Sequence, residues 1–454
     1  MKKLLYLLPL FLGGFFYAQN FKADSTQFKK ISDEILTNGK GYEDLRELTK
    51  NIGNRLSGSA NYEKATQWAM QKLKDAGADK VWLQPVMVDV WTRGTESLKL
   101  KIGNGNWENI KMLSLGNSEG TKGKDLKGNI ILVKSIEDFQ KIPAEVIKDK
   151  IVFFNYPFKQ EFVVTGQAYG DAGKYRRSTA SEVAKKGGKA VIIRSLTSNF
   201  DDVPHTGTLK YEDGIAKIPA IAIGAETADK LEKALLKRQL IEAVLNSNCG
   251  MNGQKLTHSV IGEITGNKDK SVIVVSGHLD SWDVGEGAHD DGAGIVQSIE
   301  VLRTFKNLNI KNNHTIRVVC FANEENGLSG GKTYLENVKK SGEPHIFALE
   351  SDSGGFTPRG FSVGMNAEKA QSMKSWEKLF NPYGIYEFTG NHGGADITPL
   401  RELNVPVSNF STDSQRYFDI HHTPEDTFEK VNRRELLLGA TVMTQLIYMI
   451  DQNW

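Results

Sequence analysis

The chain has 454 residues, enough for a large buried core and two structural units. Its 57 basic and 55 acidic side chains nearly cancel, so it lacks the basic footprint that a nucleic-acid binder needs. With only two cysteines, Cys249 and Cys320, it is no disulfide scaffold.

The N-terminus carries Lys2 and Lys3, an apolar run from Leu4 to Tyr17, and then Ala18. This reads as a signal peptide over residues 1–18, too short to span a bilayer, and it predicts a secreted or periplasmic protein with no membrane span. Residues 19–115 open with helical stretches and end in "KVWLQPVMVDVW" and "ESLKLKI", which have the β-branched, alternating character of strands.

Residues 116–250 change texture: "GNIILVKS", "DKIVFFNY", "GKAVIIRS" and "IPAIAIG" are short apolar strands set between loops and a few helices. No metal cluster stands out there, and His205 reads as structural. From residue 251 to 454, "SVIVVSGHLD", "TIRVVCFANEE", "IFALESD" and "VPVSNFSTD" read as strands ending in polar residues and separated by helices. The expectation is an α/β fold with a mostly parallel central sheet flanked by helices, into which residues 116–250 are inserted. Cys320 falls in an apolar strand and reads as a buried thiol. A helix starting near Asn432 is expected from the "NRRE" spacing.

Ligand sites of parallel α/β sheets gather beyond the carboxyl ends of the strands. Here those ends bring His278 and Asp280, Glu324 and Glu325, Glu350 and Asp352, and a last region running through Asp413 to His421, His422 and Asp426. Asp290 and Asp291 precede a helix whose start faces the same edge. Oxygen and imidazole donors without thiolate suit zinc, with cobalt or manganese as substitutes. The donors exceed the needs of one tetrahedral ion, so two zinc ions per chain bridged by a carboxylate are predicted.

The motifs "HLDSWDVGEGAHDDGAG", "ANEENGLSGG", "ESDSGG" and "HHTPEDT", in this order, resemble those of the zinc-dependent aminopeptidase and carboxypeptidase family with a co-catalytic metal pair. The likeness extends over most of the chain, including "RLSGS" at Arg55–Ser59. It implies a zinc exopeptidase fold with a protease-associated, β-rich inserted domain. As metal ligands it implies Asp290 as the bridge, His278 with Glu325 on one ion, and Asp352 with His422 on the other. Glu324 matches the general base, acting on a metal-bridging hydroxide, and Asp280 a carboxylate that orients the His278 imidazole. A cis Asp290–Asp291 bond is implied too, with His421 directed away from the metals and His289 in the wall or at the surface.

The implied activity is that of a secreted exopeptidase or dipeptidase acting on short peptides; a homodimer is compatible with it. A glutaminyl cyclase-like single-zinc enzyme and a non-catalytic binding protein are the alternatives on the same fold. For substrate ends, Asp396 or Asp413 is the candidate partner of a free amine and Arg416 of a carboxylate, with amine recognition favoured.

Overall fold

The computed structural model describes residues 14–454, so the signal peptide expected over residues 1–18 lies mostly outside the described residues. Two eight-stranded sheets organise the chain. In the first, strands follow the order Lys80–Thr92, Gly250–Ile264, Thr315–Phe321, Val272–His278, His345–Ser351, Val407–Thr412, Pro358–Phe361 and Glu387–Phe388. Its centre, from Thr315–Phe321 to Val407–Thr412, is parallel. The long ribbon of Lys80–Thr92 with Gly250–Ile264 closes one side in antiparallel pairing.

The central strands are apolar throughout, as strands covered on both faces must be. Val272–His278 and Thr315–Phe321 are buried at every position. One cover is the helix Ala293–Asn307, buried from Ala293 to Phe305 and packed beside the helix Arg433–Asn453. Several of its polar residues are satisfied inside: Gln297 donates to the Leu436 carbonyl at 3.1 Å, and Arg303 joins Glu300 to Asp44. The Asn432 side chain caps Arg433–Asn453 by accepting from the Arg434 and Glu435 amides. The reciprocal arm of a capping box is absent, because the Glu435 carboxylate is taken up by the Thr357 hydroxyl.

The second sheet runs Trp107–Ile110, Glu96–Ile102, Ile241–Ser247, Leu126–Val133, Ile151–Phe154, Ala190–Arg194, Ala220–Ile223 and Met112–Ser114. It is parallel from Leu126–Val133 to Ala220–Ile223. Strands Glu96–Ile102, Trp107–Ile110 and Met112–Ser114, assigned from the sequence to the part before residue 116, pair here instead. Strand character tells that a segment pairs, not with which sheet. The chain leaves the first sheet at Thr92 and returns at Gly250, and these two residues are register partners. Both connections therefore cross at one place.

Candidate metal centre

The parallel strands deliver their polar ends to one side. His278 ends its strand between the strands that lead to Glu324–Glu325 and to Asp352. Asp290 follows a loop from His278, the Asp290–Asp291 peptide bond is cis, and the helix Ala293–Asn307 starts directly after it. Asp291 joins the two elements, since its carboxylate accepts from the His278 amide and from the Gly294 amide, each at 3.0 Å.

Asp290 is the hub. One of its oxygens, Oδ1, lies 3.2 Å from His278 Nε2, and Oδ2 lies 3.2 Å from His422 Nε2. His278 Nε2 is also 3.6 Å from Asp352 Oδ1, and His422 Nε2 is 3.2 Å from Glu325 Oε2. These distances correct the pairing read from the sequence: His278 goes with Asp352, and His422 with Glu325. Strand order sets the ends leading to Glu325 and to Asp352 on either side of His278, so the choice between them lies in how the loops beyond the strands aim their side chains, which motif sequence does not give. His421 also departs from expectation. Its ring stacks on that of His422 at 3.5 Å, and its Nε2 reaches to 3.4 Å from Asp290 Oδ2. Only His422 meets both Asp290 and Glu325.

Nitrogen and oxygen donors at these separations fit zinc. His278, Asp290 and Asp352 present donor atoms within 4.8 Å of one another, and so do Asp290, His421 and His422. The buried His278 Nε2 has no properly angled hydrogen-bond partner. Electrostatics agree. Burial pushes the Glu324 carboxyl well above its ordinary range, with His278 opposing and the Asp352 and Glu325 charges adding to the rise. Burial likewise raises Glu325, and the Asp290 charge adds to it. So many carboxylates cannot all ionise in one buried place without cations among them.

The supporting contacts are only partly those expected. His278 Nδ1 lies 3.0 Å from the backbone carbonyl of Asp280, closer than the 3.8 Å to the Asp280 carboxylate. That carboxylate instead accepts from the Glu324 amide at 3.1 Å and the Glu325 amide at 3.4 Å. It therefore holds the turn bearing the proposed base. Asp426 accepts from the amides of His289 and Asp290. Glu350 turns away to accept from the amides of Asp396 and Ile397. His289 is buried, stacked on Phe356 at 4.2 Å, and its Nδ1 accepts from the Gly355 amide at 3.1 Å.

Sequence reasoning missed the contribution of the second sheet. His422 Nδ1 faces the Thr206 carbonyl at 3.3 Å, and His205 Nδ1 faces the His421 carbonyl at 2.8 Å. Arg55 was seen only as part of a motif, yet it is wholly buried and donates to the carbonyls of Leu279, Glu286 and Gly287. Of the residues assigned to substrate ends, only Asp413 lines a cavity that opens on the centre. Arg416 lies 3.6 Å from Glu435 and lines a separate cavity. Asp413 is paired with Arg359 at 2.7 Å, and Asp396 is only 1% exposed.

Two cavities open on the centre. One, of about 700 Å³, is lined by Asp290, Glu324, Glu325, Asp352 and His422 at one end, and by Arg176, Arg177, Lys210 and Lys332 elsewhere. The other, of about 780 Å³, shares Asp352, Tyr417 and Phe418 with it and is walled by Val163 and Val164. Together the parallel sheet and the histidine–carboxylate cluster at its strand ends define a metallo-exopeptidase, a hydrolase of peptides.

Comparison with known proteins narrows the class. Residues 259–447 match the model of Peptidase family M28. The chain is 34% identical to human Carboxypeptidase Q over 418 residues, covering 90% of this chain and 85% of that protein. The crystal structure of a peptidase M28 precursor from Shewanella amazonensis SB2B superposes with a TM-score of 0.90 at 32% identity, covering 96% of this chain and 98% of that one. A zinc aminopeptidase from Bacillus subtilis shares the fold, with a TM-score of 0.66 at 21% identity over 90% of this chain and 94% of the other. The chain belongs to peptidase family M28 and is a carboxypeptidase Q-like member of it.

Proposed function

We propose that the chain is a secreted exopeptidase that holds two zinc ions and removes a terminal residue from short peptides, with Glu324 as general base. The observation that carries the reading is the Asp290 carboxylate, whose two oxygens face different imidazoles, those of His278 and His422. In this reading Asp290 would bridge the ions, His278 and Asp352 would hold one, and Glu325 and His422 would hold the other. A single-zinc cyclase would use only one of the two donor groups. Bound zinc would polarise the scissile carbonyl and make water a stronger acid.

The chain's own residues do the rest. Glu324 lines the cavity beside the ligands, where its carboxylate can take a proton from water and return it to the departing amine. Asp280 holds the Glu324 and Glu325 amides, and so the aim of the base and the adjacent ligand. Residues 93–249 act as an inserted protease-associated-like domain whose wall over the centre admits a chain end and excludes a continuing polypeptide. Secretion rests on the signal-like N-terminus, and no described helix is long and apolar enough to cross a membrane.

The test is a panel of free and end-blocked dipeptides with and without chelator, together with zinc content per chain. Two zinc ions and chelator-sensitive dipeptide hydrolysis are the expected results. One zinc per chain, or efficient cleavage inside an unfolded protein, would overturn the reading.

A further inference from the structure

Arg176 is the least ordinary charged residue outside the metal cluster. It is 5% exposed, and no carboxylate of the described residues lies within ion-pairing distance of its guanidinium. Its Nε donates to the Thr208 carbonyl at 3.2 Å, and its guanidinium carbon sits 5.2 Å from the centre of the Tyr169 ring. A buried cation without a counter-charge is costly. Solvated surface lysines carry no such cost, so Arg176 needs a reason that Lys210 and Lys332 do not.

Its position supplies one. Arg176 lines the same cavity as Asp290, Glu324 and His422. A Cβ built on Gly207 would fall 2.7 Å from His422 Nδ1 and 2.6 Å from the Arg176 guanidinium carbon, so the two side chains meet across that glycine. Every acid lining this cavity belongs to the proposed catalytic centre, whereas Arg177, Lys210 and Lys332 add positive charge away from it. Glu324 lines this cavity and not the one walled by Val163 and Val164. The residue that departs with the proton of Glu324 therefore leaves on the Arg176 side.

We propose that Arg176 is a specificity-determining residue that binds the terminal carboxylate of the departing residue. This rests on the peptidase reading above and reverses the preference for amine recognition drawn from the sequence. A guanidinium presents paired N–H donors that match a carboxylate. The second cavity, where Val163 and Val164 stand beside polar residues such as Gln167, Arg359 and Asp413, then receives the residue whose carbonyl is attacked.

The test uses the zinc-loaded chain and three ligands: alanyl-leucine, alanyl-leucinamide, and the α-amide of alanyl-glutamate, which keeps only a side-chain carboxylate. Affinity is measured by calorimetry on the Glu324→Gln chain, and hydrolysis on the unsubstituted chain. Arg176→Gln should weaken alanyl-leucine by about 100-fold, the typical result of deleting one partner of a buried charge pair, and leave alanyl-leucinamide nearly unchanged. Arg176→Lys should recover part of the loss. Equal losses for both leucyl ligands, or none, would overturn the proposal. So would a dependence on Arg176 confined to the glutamyl α-amide, which would assign the anchor to a side chain. If Arg176→Gln does not fold, the comparison of acid with amide on the Arg176 chain decides: tight binding of the acid alone supports the anchor, and equal binding refutes it. Arg176-dependent binding without hydrolysis would sink the peptidase reading and leave the anchor standing.

Discussion

His422 Nδ1 lies 3.3 Å from the carbonyl oxygen of Thr206, a contact between residues 216 positions apart that joins the two sheets at the metal centre. A carbonyl can only accept, so the contact places the ring proton on Nδ1 and frees Nε2 toward Asp290 and Glu325. The second sheet is thereby part of the centre's geometry as well as a wall.

The neighbouring glycine tests this coupling. Gly207 has a φ of +128°, and an added Cβ would press on both the Arg176 guanidinium carbon and His422 Nδ1. Gly207→Ala should lower zinc affinity by about 10- to 100-fold, as loss of an outer partner of a ligand typically does. Competitive chelator titration measures it. Unchanged affinity would show that His422 does not depend on the second sheet.

Glu324 and Glu325 are neighbours with different expected signatures. Glu324→Gln should keep both zinc ions and lose about 10²- to 10⁴-fold in kcat, the usual worth of general acid–base catalysis. Glu325→Gln should lose zinc first and regain part of its activity when zinc is raised. Metal analysis beside steady-state rates separates the two, and exchanged signatures would exchange the roles.

Metal removal should lower stability as well as rate, because the buried carboxylates then repel one another. A ligand present at about 100 times its Kd stabilises a fold by roughly 2.7 kcal/mol. Dialysis against chelator should therefore lower the melting temperature, and two equivalents of zinc should restore it. A melting curve indifferent to zinc would show that the carboxylates settle without cations.

Much of this centre was legible as polar residues at the ends of apolar strands. His278, Asp290, Glu325, Asp352 and His422 are local features of four short motifs, and the fold brings them together. Which carboxylate meets which histidine was not legible, because it depends on how the loops beyond the strands aim their side chains. Nor was Asp280's choice of the Glu324 and Glu325 amides, since a carboxylate two residues after a histidine can face either way. Arg176 was invisible for a different reason: it lies on the helix Thr165–Lys185 among ordinary charged residues, and only the assembled fold leaves it buried without a counter-charge. The segment Glu96–Ile102 read as a strand but not as a member of the second sheet.

Arg55 offers the most demanding test of how the centre is held. Its Nε donates to the Leu279 carbonyl at 2.7 Å, Nη1 to Glu286 at 2.8 Å and Nη2 to Gly287 at 2.9 Å, so one guanidinium ties both ends of the loop from His278 to Asp290. Burial lowers the pKa of Arg55, while Asp426 and Asp280 are the first of several carboxylates that oppose the fall. A lysine keeps the charge but cannot present three donors in one plane. Arg55→Lys should therefore cost about 3 kcal/mol, the scale of breaking a buried charged network, and weaken zinc binding with it. Because the loop aims ligands and does no chemistry, excess zinc should restore much of the kcat of Arg55→Lys but none of that of Glu324→Gln. If Arg55→Lys binds zinc normally yet turns over slowly, the clamp acts on the substrate and not on the metal loop, and the positioning role assigned to it fails.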